Sequence, residues 1–203
     1  MDVIGVSVFS SEAITSLTLP ETVLELRSNA VSGCENMTSV TLPQSLVVIN
    51  SMNFSNCNAL TEITIPAGVR YIGENSFRFC DALRKITFEG VCPLIDKGCF
   101  SLIAEDAVAY VPDDELEAYT EAFERAGIEV PVQPSGKNAV VVENNGFAEE
   151  DFEFDPATGT ITSYNGFATY LAIPETIGGA AVKAIGPKAF AQHTYIALAE
   201  LPE

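Results

Sequence analysis

Residues 60 to 82 read Leu60-Thr-Glu-Ile-Thr-Ile-Pro-Ala-Gly-Val-Arg-Tyr-Ile-Gly-Glu-Asn-Ser-Phe-Arg-Phe-Cys-Asp-Ala82, and the same frame recurs at a constant interval in both directions. Prolines stand at Pro20, Pro43 and Pro66, cysteines at Cys34, Cys57 and Cys80, and threonines at Thr18, Thr41, Thr64 and Thr87. A period in the twenties that holds in several columns at once marks stacked repeats, each burying an edge against the next.

Leu17, Val40, Ile63 and Ile86 form one apolar column, and Leu19, Leu42, Ile65 and Phe88 form another. The threonine column lies between them, so apolar and polar residues alternate with the period of a strand. Each coil therefore opens with a short strand, which proline ends in three coils because it lacks an N–H and fixes φ. Leu26, Ile49, Ile72 and Ile95 make a further apolar column. Phe54, Phe77 and Phe100 follow, with Val31 in the same place, and Met37, Leu60 and Leu83 complete the coil. In a coiled stack, equivalent residues should lie roughly 4.8 Å apart, the spacing of paired strands. Each Phe can bury about 150–250 Å², on the order of 4–6 kcal/mol gross at about 25 cal/mol per Å² before chain entropy is charged.

These residues resemble the BspA-type leucine-rich repeats of bacterial surface proteins, whose units run Leu-x-x-Ile-x-Ile-Pro, Val-x-x-Ile-Gly, Ala-Phe-x-x-Cys. In the third coil Leu60, Ile63, Ile65, Pro66, Val69, Ile72, Gly73, Phe77 and Cys80 stand in that pattern, with Ser76 in place of Ala. Arg27 replaces Gly and Val31 replaces Phe in the first coil, and Asn50 replaces Gly in the second. The expected fold is a β-rich solenoid: leucine-rich repeat arrays with 23-residue coils, short parallel strands and one capping helix. The resemblance implies surface display and binding, not a reaction.

Two arrays are expected. The first covers residues 1–130, with a helical cap over residues 113 to 126. There Leu116, Tyr119 and Phe123 share a face, Asp stands at the start and Gly127 lies beyond the end. Residues 131–145 then read as a linker, opening Pro-Val-Gln-Pro-Ser-Gly-Lys. Residues 146–203 read as the start of a second array. It opens with a hairpin across residues 152 to 164 around a Pro/Gly turn. Leu171, Ile173 and Pro174 restart the repeat, and Val182, Ile185, Gly186, Ala189 and Phe190 continue it after an insertion at Gly178-Gly179. His193 falls on the cysteine column and reads as a core or rim residue. Ile4, Gly5 and Phe9 look like the second half of a coil one residue short, and Leu201-Pro202 falls where another coil would open. Both ends thus read as cuts in a longer protein.

With 47% hydrophobic and 19% charged residues, the 203-residue chain has the balance of a folded protein. Its formal charge is −18, and residues 105 to 155 hold 15 Asp or Glu against Arg125 and Lys137. Nucleic acid is not an expected partner, because phosphate backbones are bound by releasing counterions to Lys and Arg. No apolar run approaches a membrane span, and no basic stretch leads into an apolar one at the N-terminus. Asp151, Glu153 and Asp155 can share a strand face and gather Ca²⁺, but they lack the Gly and distal Glu of an EF-hand loop. Cys34, Cys57 and Cys80 share a column and read as buried thiols, while Cys92 and Cys99 match no zinc spacing. One His, no Trp and no phosphate-cradling Gly loop leave no catalytic constellation. Neither an enzyme, a cofactor nor a metal is expected.

What remains is surface. Outward strand positions form two columns, Thr18, Thr41, Thr64, Thr87 and Ser16, Ser39, Glu62, Lys85, a hydroxyl-rich face with a charged end. Thr18, Ser39, Thr41, Glu62, Thr64, Lys85 and Thr87 are the candidate binding residues, although Thr is also a favourable outward strand residue for structural reasons alone. A second candidate patch comprises Leu24, Val47, Val48, Arg70 and Tyr71, outward in register yet partly apolar. The resemblance implies a non-catalytic, secreted or cell-surface adhesion module that recognises a protein or glycan on a host or neighbouring cell. The alternatives are an accessory segment of a larger secreted hydrolase or a plain spacer.

Overall fold

The computed structural model describes residues 2–140, 142, 149–165, 170–191 and 198–200. The chain divides into two compact units, residues 1–143 and residues 144–203.

In the first unit the coils between residues 16 and 95 each contribute two parallel-pairing strands, one to each side of the solenoid. One stack holds β1 (Asp2–Ile4), β3 (Val23–Leu26), β5 (Val48–Ile49), β7 (Tyr71–Ile72) and β9 (Leu94–Ile95) in that spatial order. The other side holds β2 (Ser16–Thr18) paired with β4 (Ser39–Thr41), and a four-stranded sheet of β6 (Glu62–Ile65), β8 (Lys85–Phe88), β10 (Val108–Val111) and β11 (Val132–Pro134). Registers repeat the sequence period: Thr18 pairs Thr41, Thr64 pairs Thr87, Ile49 pairs Ile72 and Ile72 pairs Ile95. The solenoid and its 23-residue coil are as the columns predict. The second strand of each coil, over the Leu26/Ile49/Ile72/Ile95 column, is an addition, for two-residue strands are too short to show an alternation. The first half-coil falls one position short of the full period, as expected, with Ile4 pairing Leu26 and Phe9 bridging Val31.

Between the strands the chain turns by the same hydrogen bonds in coil after coil. Val23, Leu46 and Val69 N–H groups donate to the carbonyls of Pro20, Pro43 and Pro66, all at 3.1 Å. Met37, Leu60 and Leu83 donate to Cys34, Cys57 and Cys80 at 2.9 to 3.0 Å. Two further columns take left-handed backbone, Asn29, Met52, Asn75, Gly98 and Gly33, Asn56, Phe79, Leu102, with φ between 57° and 70°. Asn and Gly tolerate that conformation, whereas Met52, Phe79 and Leu102 each bear on the order of 1–2 kcal/mol of strain.

The core fills the space between the two stacks. Phe54, Phe77 and Phe100 form a continuous pile, with centroids 5.1 Å apart at both steps and interplanar angles of 10° and 12°. Val31, Leu26, Ile49, Ile72, Met37, Leu60 and Leu83 are buried around it. The cysteine column is buried as free thiols. Each thiol donates to the carbonyl of the preceding coil's Phe position: Cys34 to Phe9 at 3.5 Å, Cys57 to Val31 at 3.8 Å and Cys80 to Phe54 at 3.1 Å. Burial raises Cys57 and pushes Cys80 and Cys99 up to about 12.

A buried polar ladder accompanies these columns. Asn53 donates its amide to the carbonyls of Leu26 and Asn50 and accepts from the Ala30 N–H. Ser76 donates to Asn50 and Gly73 at 3.1 and 2.6 Å, and the Cys99 thiol donates to Gly73 at 3.1 Å. These side chains supply donors to turn carbonyls shut away from water, which would otherwise cost about 1–3 kcal/mol each.

The cap forms where expected. Asp113–Glu115 makes a 3-10 turn that leads into α1 (Leu116–Ala126), and Gly127 ends the helix at φ 65°. Tyr119, Ala122, Phe123 and Ala126 are buried, and Phe123 packs on Phe88 and Phe100 at 6.2 and 6.0 Å. The helix therefore closes the open end of the core. After it, part of the stretch expected to be a linker, Val132–Pro134, adds β11 to β10, with Tyr110 opposite Gln133.

In the second unit β12 (Phe152–Asp155) and β13 (Thr160–Tyr164) form the expected antiparallel hairpin. Asp155 accepts from the Ala157 N–H and the Thr158 hydroxyl to hold its turn. β14 (Tyr170–Ala172) pairs in parallel with β18 (Leu198–Glu200). β15 (Thr176–Ile177) and β16 (Ala180–Ala181) fold back on each other across Gly178-Gly179, whose φ values of 58° and 78° suit a primed two-residue turn. β17 (Ala184–Ile185) lies parallel to β13. Phe152, Ile161, Tyr164, Ile173, Ile177 and Ala189 make the core. Ile185, on a column that is inward in the first array, is 41% exposed here. His193, Leu201 and Pro202 lie outside the described residues.

Phe77→Ala should cost about 3–5 kcal/mol by urea denaturation, since it opens a void in the middle of the pile, while a loss below about 1 kcal/mol would argue against the pile as the chief support. The raised thiols give a second expectation. A group held neutral by burial contributes stability that is complete below its ordinary value of 9.0 and is lost as pH climbs toward about 12. The urea midpoint should fall from pH 8 to pH 10.5, and Cys80→Ala should flatten that fall.

Candidate functional site

The seven candidate residues lie on the outward side of the opening strands. Thr18, Ser39, Thr41, Glu62, Thr64 and Lys85 are exposed and Thr87 is half-buried. The ladders bring them together in two groups. Thr18 and Thr41 are opposite one another, as are Ser16 and Ser39, on β2 and β4. Glu62 is opposite Lys85, and Thr64 opposite Thr87, on β6 and β8. Strands β4 and β6 lie side by side but belong to separate ladders. The Lys85 ammonium stands 4.0 Å from a Glu62 oxygen, with both side chains more than half exposed, so the pair is worth roughly 0–1 kcal/mol.

The row is longer than the threonine column suggests. Tyr110 pairs with Thr87 and Gln133 pairs with Tyr110, so the outward line runs Thr18, Thr41, Thr64, Thr87, Tyr110, Gln133. Both additions keep the 23-residue interval. That signal was present in the sequence, masked by the change from strand repeat to helix and by the Pro-rich composition after it. At this end the face dips into a concavity of about 570 Å³ lined by Lys85, Thr87, Glu89, Tyr110, Lys137 and Asn138, among others. A second concavity, of about 480 Å³, lies between residues 98–107 and the 127–131 segment after α1.

The other candidate patch is not a surface. Val47, Val48 and Tyr71 are buried, and Leu24 and Arg70 are half-buried. The Tyr71 hydroxyl donates to Asp96 at 2.7 Å, and burial together with that carboxylate raises its pKa. Arg70 donates to the carbonyls of Ala67 and Val142 at 2.8 and 2.9 Å. The segment after β11 returns past these coils, since Val140 bridges Gly90 and its N–H donates to Glu89 at 2.8 Å. A contact spanning three coils of chain, as Arg70 makes with Val142, is invisible to a repeat register.

The thiols of Cys57, Cys80, Cys92 and Cys99 are shifted away from nucleophilic duty. Cys92, the one cysteine not fully buried, is pushed up to about 12, first by burial and then by Glu115. Activated cysteines shift the other way. Among the described residues no three His, Cys, Asp or Glu side chains converge as metal ligands. Glu153 accepts from Asn165, and Asp155 is committed to its turn, which holds its carboxyl below the usual carboxylate value. No helix of the described residues is long and apolar enough to cross a membrane.

The BspA type leucine-rich repeat region family matches residues 2–129 in six copies. Among solved structures, the chain is similar to a leucine-rich repeat protein from Bacteroides ovatus, at 23% identity and a TM-score of 0.33, over 56% of this chain. It spans 44% of that protein's chain, less than half its length. No curated protein matches the sequence.

Because the face is exposed, it carries little of the fold's stability. Thr41→Arg and Thr64→Arg together should change the unfolding free energy by less than about 1 kcal/mol, as read by urea melts, and a larger loss would mark the row as structural.

Proposed function

The chain belongs to the BspA-type leucine-rich repeat family, a repeat-based protein-interaction module, and on that premise we propose that it is a non-catalytic adhesion segment of a secreted or cell-surface protein. Its target is a protein or glycan on a host or neighbouring cell. The supporting observation is the outward row from Thr18 through Thr87 to Tyr110, exposed or half-buried, with ladder pairing that fixes the spacing of Thr18 with Thr41 and of Thr64, Thr87 and Tyr110. Such a row presents many weak polar contacts on a rigid backbone, so little ordering entropy opposes binding. The acidic balance of −18 keeps a displayed chain soluble and disfavours nucleic acid.

Immobilised protein should retain a partner from cell-surface extracts, and the Thr41→Arg, Thr64→Arg pair should abolish capture with the fold intact. Equal capture by both proteins would remove the row from the binding face. Capture by neither would point to a spacer.

A further inference from the structure

Resting on that reading of the strand face, we propose that the concavity at its end is a subsite for a carboxylate-bearing sugar, stacked on Tyr110 with its acid group between Lys85 and Lys137. In a chain with 10 Lys and Arg against 28 Asp and Glu, two lysines, Lys85 and Lys137, line one hollow of about 570 Å³ beside a single acid, Glu89. That volume lies within the range of small-ligand sites and suits one or two sugar rings.

Lys137 has no carboxylate within 4.0 Å among the described residues, and Lys85 has only the exposed Glu62 at that limit. Glu89, the acid that lines the hollow, accepts from the Gln44 amide at 3.1 Å. The two nearby aspartates are also engaged: Asp113 accepts from the Gly136 N–H at 2.8 Å and Asp114 from the Ala139 N–H at 2.7 Å. With the Asp113 N–H donating to the Lys137 carbonyl at 2.7 Å, these bonds fix the loop that carries Lys137 and Asn138. The wall is built before a ligand arrives, which lowers the ordering cost of binding.

The lining favours a sugar over an apolar peptide anchor. Thr87, Ser135 and Asn138 offer hydroxyl and amide partners for ring hydroxyls. Tyr110 is the single aromatic on the outward row, suited to the C–H face of a pyranose. Ammonium groups supply charge-assisted bonds to a carboxylate, which are shorter and stronger than neutral ones.

The test is calorimetric titration of the full chain with oligosaccharides capped by N-acetylneuraminic acid or by glucuronic acid, beside their neutral counterparts. At least one acid-capped sugar should bind about tenfold tighter than its neutral form, with affinity falling as salt rises. Lys85→Met and Lys137→Met should each lower that affinity about tenfold, and Tyr110→Ala should remove it, all without a shift in the melting temperature. The two acids separate a sialic from a uronic ligand. Equal binding of acidic and neutral sugars, no binding of either acid, or an unchanged affinity in Lys137→Met would overturn the subsite. So would binding of a peptide through its free C-terminal carboxylate with no sugar binding. If acid sugars fail while Thr41→Arg, Thr64→Arg still abolishes partner capture, the subsite falls and the adhesive face stands. If acid sugars bind while capture survives that pair, the reverse holds.

Discussion

Everything in the first unit depends on one constraint, that each coil places its residues directly over those one period earlier. The parallel ladders fix this spacing in the backbone. The phenylalanine pile fixes it again in the core, with two successive steps of 5.1 Å. Neither could be maintained alone. Two-residue strands are too short to hold register by themselves, and an aromatic pile without ladders would slide. Because the two demands coincide, an insertion within a coil disturbs both, and the helix is accommodated only where the pile ends.

Polar chemistry inside the coil obeys the same rule. The carbonyls of Leu26, Asn50 and Gly73 turn inward at successive levels, and Asn53, Ser76 and Cys99 answer them from the coil above. The column thiols do likewise for the carbonyls of Phe9, Val31 and Phe54. Cysteine at this position thus serves as a small apolar filler that also carries a weak donor, a combination that alanine cannot offer.

Much of this architecture was legible because a repeat states each fact several times. One Phe at position 77 says little, but Phe54, Phe77 and Phe100 at equal intervals identify a core column. The helix was equally readable from its apolar face and from Gly127. Legibility failed where information was not repeated. The burial of Val47, Val48 and Tyr71 does not follow from the register, and Arg70 is held by the distant Val142 carbonyl. Tyr110 and Gln133 kept the interval, yet a helix and a Pro-rich stretch hid them. For the site, the outward threonines were readable as a row, while the hollow at its end depends on a loop pinned by Asp113 and Asp114, a tertiary matter.

The gap between β4 and β6 has a mechanical meaning. Ladder bonds in this unit link coil to coil, so a force drawing its ends apart loads the interfaces in series, and the weakest yields first. Between the second and third coils the β5–β7 ladder is joined by turn bonds from the Met52, Phe54 and Asn56 N–H groups to the carbonyls of Glu74, Ser76 and Arg78 at 3.0, 2.7 and 2.9 Å, so that level stays tied where the outer ladder breaks. The outer face can therefore change its ladder partner at β4 and β6 while the inner side of the coil carries the load across the step.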